Sequence, residues 1–198
     1  QCDWSSDVCS SDLSVGNVTG SDPENDSLTF SISGGADSAK FSITSSGALS
    51  FKSAPNYEAP GSTANSNAYT IIVQVSDGSL TATQTITVNV TNVNEAPSIT
   101  SGSAYTVLSG NTSVGTVTSS DPDAGASATY SISGGADSTQ FSINASTGVL
   151  AFNSAPDYAN PTDLGDTASN NTYVVIVQVS DGSLTATKTI TVTVTDSP

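Results

Sequence analysis

Histidine, arginine and methionine are missing from the 198 residues, and lysine occurs only as Lys40, Lys52 and Lys188. Without histidine the chain lacks the commonest general base, the commonest zinc ligand and the Ser–His and Cys–His nucleophile pairs. Three cations cannot neutralise a run of phosphates, which excludes nucleic-acid binding. The same balance argues against anionic membrane surfaces, and no apolar run approaches the roughly 20 residues of a membrane span. No secretory signal is visible, so any such signal is expected outside this stretch. Cysteine is limited to Cys2 and Cys9 and tryptophan to Trp4, all within the first nine residues. What the chain has instead is acid and hydroxyl. Asp and Glu number 18, the formal net charge is −15, and Ser (37) and Thr (27) make up about a third of the residues. Such a composition serves solubility, or the binding of hard cations through oxygen ligands.

The chain is a duplication. VQVSDGSLTATQTITV at 73–88 returns as VQVSDGSLTATKTITV at 177–192, with Gln84 against Lys188 the single difference. SISGGADS recurs at 31–38 and 131–138, SVGNVT at 14–19 returns as SVGTVT at 113–118, and FKSAPNY at 51–57 returns as FNSAPDY at 152–158. The offset grows from 99 to 104 along the chain, mostly in the loop after Tyr158. A period near 100 residues suits an independent domain rather than a short solenoid unit.

Each copy reads as short strands. In the second, strand signals fall near 103–108, 113–118, 128–133, 140–144, 148–152, 172–180 and 185–195, rich in Val, Ile, Thr, Tyr and Phe. Residues 189–195 alternate Thr with Ile or Val, so one face is buried and the other is a threonine ladder. Gly34-Gly35, Gly47, Asp77-Gly78 and their counterparts mark the turns, and no long stretch has helical spacing. The expected fold is all-β, two tandem seven-stranded Greek-key β-sandwiches with no helix longer than one turn.

The ends break the pattern. The stretch matching the first strand of copy two, near Tyr105–Leu108, would be residues 4–9, which bear no similarity to it. The leader QCDWSSDVCSSDL looks like translated sequencing-adapter read-through, so residues 1–12 are expected to be non-native and not to pair as that strand does. The other reading is a capping segment closed by a Cys2–Cys9 disulfide. The organisation expected is a leader at 1–12, a first repeat at 13–91 without its first strand, a linker at 92–97, a second repeat at 98–195 and the start of a further linker at 196–198.

The acidic residues recur with the repeats. Asp22-Pro23-Glu24 matches Asp121-Pro122-Asp123, Asp77 matches Asp181 before a glycine, and Asn56-Tyr57-Glu58 matches Asp157-Tyr158-Ala159. Between the copies runs Asn92-Val93-Asn94-Glu95-Ala96-Pro97. Carboxylates alternating about a proline or turn can aim two side chains at one hard cation, and Ca²⁺ takes 6–8 oxygens, carbonyls included. The plain alternative is that Asp77 and Asp181 only shape turns and that Asp121 and Asp123 lie in a solvated loop.

From Leu13 onward this arrangement resembles the cadherin repeat in the form found in bacterial surface proteins. That family holds Ca²⁺ at the junction of successive repeats. The resemblance implies Ca²⁺ ligands at Glu58, Asn92, Asn94, Glu95, Asp121, Asp123 and Asp181 for the complete junction. It implies Asp22, Glu24 and Asp77 for a junction to a preceding repeat, and Asp157 and Asp196 for one to a following repeat. The linker is one residue shorter and less charged than the family pattern. The family's Glu after the first strand is replaced by Ser109-Gly110-Asn111, and Ala159 stands where copy one has Glu58. Five carboxylates would balance about two Ca²⁺.

The remaining features have plainer readings. Asp37 and Asp137 are expected to form turns. Phe30/Tyr130, Phe41/Phe141, Phe51/Phe152 and Tyr69/Tyr173 are expected in the cores, with Tyr57/Tyr158 covering the core edge. The sequons at Asn17, Asn25, Asn89, Asn111, Asn144 and Asn170 arise readily in so Asn- and Ser/Thr-rich a chain. Carboxylate pairs at domain ends, with no insertion large enough for a cleft, point away from an enzyme. The function expected is a structural or adhesive segment of an extracellular, Ca²⁺-stiffened array at a bacterial cell surface. Its partners would be neighbouring repeats, with cell-surface or matrix glycans as further candidates. Two alternatives stand beside it: a subunit of a filament completed by a neighbouring chain's strand, and a carbohydrate-binding module, which would need an exposed aromatic platform.

Overall fold

The computed structural model describes residues 13–165 and 169–196. The chain divides into two compact units between Val93 and Asn94. Expectations about the leader, including the Cys2–Cys9 pairing and the register of residues 4–9, lie outside the described residues.

In the first unit, alternation produces six strands: β1 (Ser14–Asn17), β2 (Thr29–Gly34), β3 (Phe41–Ile43), β4 (Ala48–Phe51), β5 (Ala68–Ser76) and β6 (Thr81–Asn89). They form two antiparallel sheets, ordered β2-β5-β6 and β1-β4-β3. Among the described residues β6 is the edge of its sheet, with Thr81, Thr83, Thr85 and Thr87 all exposed.

The second unit contains β7 (Ser98–Ile99), β8 (Ala104–Leu108), β9 (Ser113–Thr116), β10 (Ser119–Ser120), β11 (Thr129–Gly134), β12 (Phe141–Ile143), β13 (Val149–Phe152), β14 (Thr172–Ser180) and β15 (Thr185–Thr195). One sheet runs β11-β14-β15-β8 and the other β12-β13-β9, seven strands as the alternation predicts. The contact of β15 with β8 is parallel, pairing Thr191 with Ala104 through Thr195 with Leu108. The two-residue ladder of β7 on β10 has no sequence signal of its own. The only helical elements among the described residues are single 3₁₀ turns at Ser38–Lys40 and Ser138–Gln140.

Period-two alternation builds the cores. On β14, Tyr173, Val175, Val177 and Val179 face inward and are fully buried, each worth roughly 1.5–3 kcal/mol relative to exposure. Phe41, Phe51 and Tyr69 cluster in the first unit, with Phe51 edge-on to Tyr69 at 5.2 Å. Phe141, Phe152 and Tyr173 repeat the arrangement, the corresponding distance being 5.0 Å. The aromatics expected in the cores are there, Phe30 being half-buried against its cluster. Tyr57 and Tyr158 are not: at 40% and 42% exposure they stand out from the surface instead of covering a core edge.

The Gly-Gly-Ala-Asp loops correct a second expectation. Asp37 and Asp137 are buried, and they do more than form a turn. Each follows a β-bulge at Gly34 or Gly134. The Asp137 N–H donates to the Val174 carbonyl at 3.0 Å, and Val174 N–H donates back to Asp137 Oδ2 at 2.7 Å. Asp137 Oδ1 accepts Leu164 N–H at 2.5 Å. Asp37 does the same with Thr70 (2.7 Å) and Thr63 (2.6 Å). Each buried carboxylate thus ties one strand N–H to one loop N–H.

Candidate metal centre

Three segments of the second unit bring acidic side chains together: the residues before β7, the loop after β10 and the turn between β14 and β15. Their local shape comes from carboxylates accepting backbone N–H groups, the usual reason Asp is favoured in turns. Asp181 Oδ1 accepts Ser183 N–H and Leu184 N–H at 2.6 and 2.7 Å, closing the Asp-Gly turn. Its Oδ2 accepts the Asn94 amide at 2.8 Å. Asp121 Oδ1 accepts Asp123 N–H at 2.9 Å across Pro122. Asp123 Oδ2 in turn accepts Glu95 N–H at 2.9 Å. Asn94, Glu95, Asp121, Asp123 and Asp181 are therefore joined by one chain-spanning set of hydrogen bonds, with Glu95 and Asp123 carboxylate oxygens within 4.8 Å of one another.

This ligand set is made of oxygen alone, and it contains a buried carboxylate atom, Oδ2 of half-buried Asp121, with no hydrogen-bond partner. A desolvated carboxylate oxygen is costly unless something positive faces it. Hard divalent cations, Ca²⁺ above all, fit these residues; the absence of His from the chain leaves them unsuited to a zinc site.

Asp22 and Glu24 occupy the loop after β1, where Asp22 Oδ1 accepts Glu24 N–H at 2.9 Å and Asp26 N–H at 3.0 Å. Asp77 closes its turn on Ser79 and Leu80 N–H as Asp181 does. Glu58 is exposed in the loop after β4, and Asn92 is exposed after β6. In the second unit, Asp157 accepts Ala159 N–H and the Asn160 amide at 2.9 and 2.7 Å, and Asp196 is exposed after β15. Sequence reasoning missed Ser62 and its counterpart Asp163, both buried. Ser62 Oγ accepts Ser66 N–H at 2.9 Å, and Asp163 accepts Asn170 and Asn171 N–H at 3.1 and 3.0 Å. Their matching place before β5 and β14 was the available signal.

Hydrogen bonds hold several carboxyls below the ordinary value of 3.8. Asp181 is lowered by Leu184 and Ser183 N–H and the Asn94 amide, and Asp77 by Leu80 and Ser79 N–H. Asp157 is lowered by the Asn160 amide and Ala159 N–H. Burial acts to raise Asp37, but the Thr63 and Thr70 bonds and the Lys40 charge outweigh it. A group depressed in the folded state adds stability above its unfolded value, and that stability disappears as pH falls through the folded value. With no His to titrate, urea unfolding should give constant stability from about pH 5 to 8 and a decline only below about pH 4. A decline beginning above pH 5 would contradict this assignment.

Comparison with known proteins agrees with this architecture. Residues 106–195 match the model of the cadherin domain, and residues 6–89 match that of a bacterial Ig domain. No curated protein matches the chain. Among solved structures, human protocadherin-24 EC1-2 is similar at 21% identity and a TM-score of 0.62, over 93% of this chain and 89% of that one. Drosophila N-cadherin EC1-4 is similar at 19% identity and a TM-score of 0.65, over 92% of this chain and 45% of that one. Mouse cadherin-23 EC22-24 follows at 18% identity and a TM-score of 0.53, over 86% and 53%. No helix among the described residues is long and apolar enough to cross a membrane. The β-sandwich sheets and aromatic cores thus go with a match to the cadherin domain over residues 106–195 and to a bacterial Ig domain over residues 6–89.

Proposed function

We propose that the chain is a structural, adhesive segment of an extracellular array whose rigidity depends on Ca²⁺. The observation that carries this reading is the convergence of residues 94–95, 121–123 and 181 of the second unit on one oxygen cluster, with Asp121 Oδ2 left without a hydrogen-bond partner. Bound Ca²⁺ would supply positive charge to carboxylates that repel one another. At ~6 Å and an effective dielectric of about 20, each like-charge pair costs about 3 kcal/mol before screening. Glu95, Asp121, Asp123 and Asp181 would serve as carboxylate ligands and Asn94 as an amide ligand, with Glu58 and Asn92 completing the set from the preceding unit. Asp22, Glu24 and Asp77 would serve a junction to a preceding repeat, and Asp157 and Asp196 one to a following repeat. The chain's role would be mechanical, with neighbouring repeats as its first partners, outside the cell at a bacterial surface. Of an exposed aromatic platform, which a carbohydrate module would need, the described aromatics offer only Tyr57 and Tyr158, the others lying in or against the cores.

Extracellular calcium modules bind at roughly 10⁻⁴–10⁻³ M. Millimolar Ca²⁺ added to the EDTA-treated protein should raise its melting temperature by linkage, and small-angle scattering should show a longer, stiffer particle. Asp121→Ala with Asp123→Ala should abolish both responses while leaving the melting temperature in EDTA nearly unchanged. Identical scattering and melting in EDTA and in Ca²⁺ for the wild type would reduce the acidic motifs to turns.

A further inference from the structure

Two of the chain's three cations meet at one place in the first unit. A surface cavity of about 390 Å³ is lined by Lys40, Lys52, Phe51, Pro55, Gly61 and Tyr69, among others, and no carboxylate lines it among the described residues. In a chain of net charge −15, two lysines line this one wall, the Lys40 charge also acting on the Asp37 carboxylate. Lys52 Nζ spends one of its three donors on the Ala39 carbonyl at 3.0 Å. Tyr69 Oη accepts Gly61 N–H at 3.0 Å and keeps its own proton to donate. Gly61 leaves the space open: a Cβ there would stand 3.5 Å from Tyr69 Oη and 3.8 Å from Lys40 Nζ.

The second unit supplies the internal control. Gly61 corresponds to Thr162, whose N–H donates to Tyr173 Oη at 3.2 Å as Gly61 N–H does to Tyr69. Here, however, the threonine hydroxyl donates to Gln140 Oε1 at 2.9 Å, and Gln140 Nε2 donates to the Thr162 carbonyl at 2.8 Å. Gln140 replaces Lys40. Asn153 replaces Lys52 and turns its amide inward to the Thr139 carbonyl at 2.9 Å. One scaffold thus appears twice, once neutral with a threonine in the gap and once cationic with the gap open.

We propose that the first unit binds a small carboxylate ligand, such as the uronic-acid residue of an acidic glycan, in this cavity. The two ammonium groups and the Tyr69 hydroxyl would hold the carboxylate through charge-assisted hydrogen bonds. The edges of Phe51, Pro55 and Tyr69 would face the body of the ligand, and the volume lies at the small end of the usual range for ligand sites. None of the lining residues is itself proposed to bind calcium, but Asn56 and Ala59 flank Glu58, so the test is run in EDTA.

The test is an amide NMR titration of the full chain in EDTA with glucuronate, and with glucose as the neutral counterpart. Glucuronate should shift the Lys40, Lys52 and Gly61 amides saturably, with a Kd of about 1 mM, and glucose should not. Exchanging in the second unit's residues (Lys40→Gln, Lys52→Asn and Gly61→Thr) should weaken binding at least about tenfold with the melting temperature retained. The reverse exchange, Gln140→Lys, Asn153→Lys and Thr162→Gly, should create a second saturable site. Equal shifts with glucose, no saturation with glucuronate, or an undiminished response in the first triple variant would overturn the proposal.

Discussion

Replacing Asp137 with alanine should lower the stability of the second unit by about 3 kcal/mol, as the Leu164 and Val174 N–H groups lose a charged acceptor at 1–3 kcal/mol each with partial relaxation. For a domain near 100 residues that is a fall in melting temperature of roughly 12–24 °C. The carboxylate is fully buried and bridges Leu164 N–H and Val174 N–H, which belong to separate segments of chain. Water cannot easily replace it. Asp137→Asn tests the geometry more finely, because its amide keeps one acceptor but points an NH₂ at a second donor; it should recover only part of the loss. Calorimetry of the full chain, with Asp37→Ala as the matching change in the first unit, measures both. A shift of under 2 °C for Asp137→Ala would show that the loop holds without its anchor.

The second large effect is expected at Gly148, and at Gly47 in the equivalent turn. Gly148 sits at φ +70° and Gly47 at +95°, in the left-handed region that disfavours side chains. In addition, a Cβ on Gly148 would run into the Val117 carbonyl oxygen, and one on Gly47 into that of Val18. Those carbonyls belong to residues whose N–H groups donate back to the glycine carbonyls at 2.8 Å, so neither side can withdraw without breaking the pairing. Gly148→Ala should cost about 2–4 kcal/mol, combining backbone strain of 1–3 kcal/mol with displacement of the neighbouring segment. Gly182→Ala, at φ +104° with nothing near its Cβ position, separates the two causes: it should cost about 1 kcal/mol from the dihedral alone. Urea unfolding of the three variants gives the comparison, and equal losses at 148 and 182 would remove the steric part of the argument.

Strands and cores were readable because their signals are local. The alternation of Val and Thr over 172–195 places one face inward whatever the rest of the chain does, and the duplication supplies six of the strands twice. The buried Asp anchors were not readable, since Asp37 and Asp137 follow two glycines and look like ordinary turn residues. Their partners are backbone N–H groups more than 25 residues away, and backbone donors carry no residue signature. Tyr57 and Tyr158 misled for the opposite reason, as aromatic character suggests burial while position decides it. In the candidate metal centre, the spacing of Asp121 and Asp123 and the Asp-Gly turn could be read directly. The bonds from Asn94 to Asp181 and from Glu95 to Asp123 could not, because they depend on where three loops end in space.

The outer edge of β6 has a colloidal consequence. Its sheet partners lie on one side only among the described residues, and its exposed positions carry four threonines and no charge. Edge strands are commonly guarded by lysine, proline or a bulge, each of which spoils the template for another strand. Here the guard is long-range: the −15 net charge makes copies repel before their edges meet. That repulsion reaches about 30 Å at 0.01 M ionic strength but only about 3 Å at 1 M. Association of copies through this edge is therefore expected to be suppressed at low ionic strength and released at high ionic strength, which light scattering at about 0.01 M and 1 M salt would read.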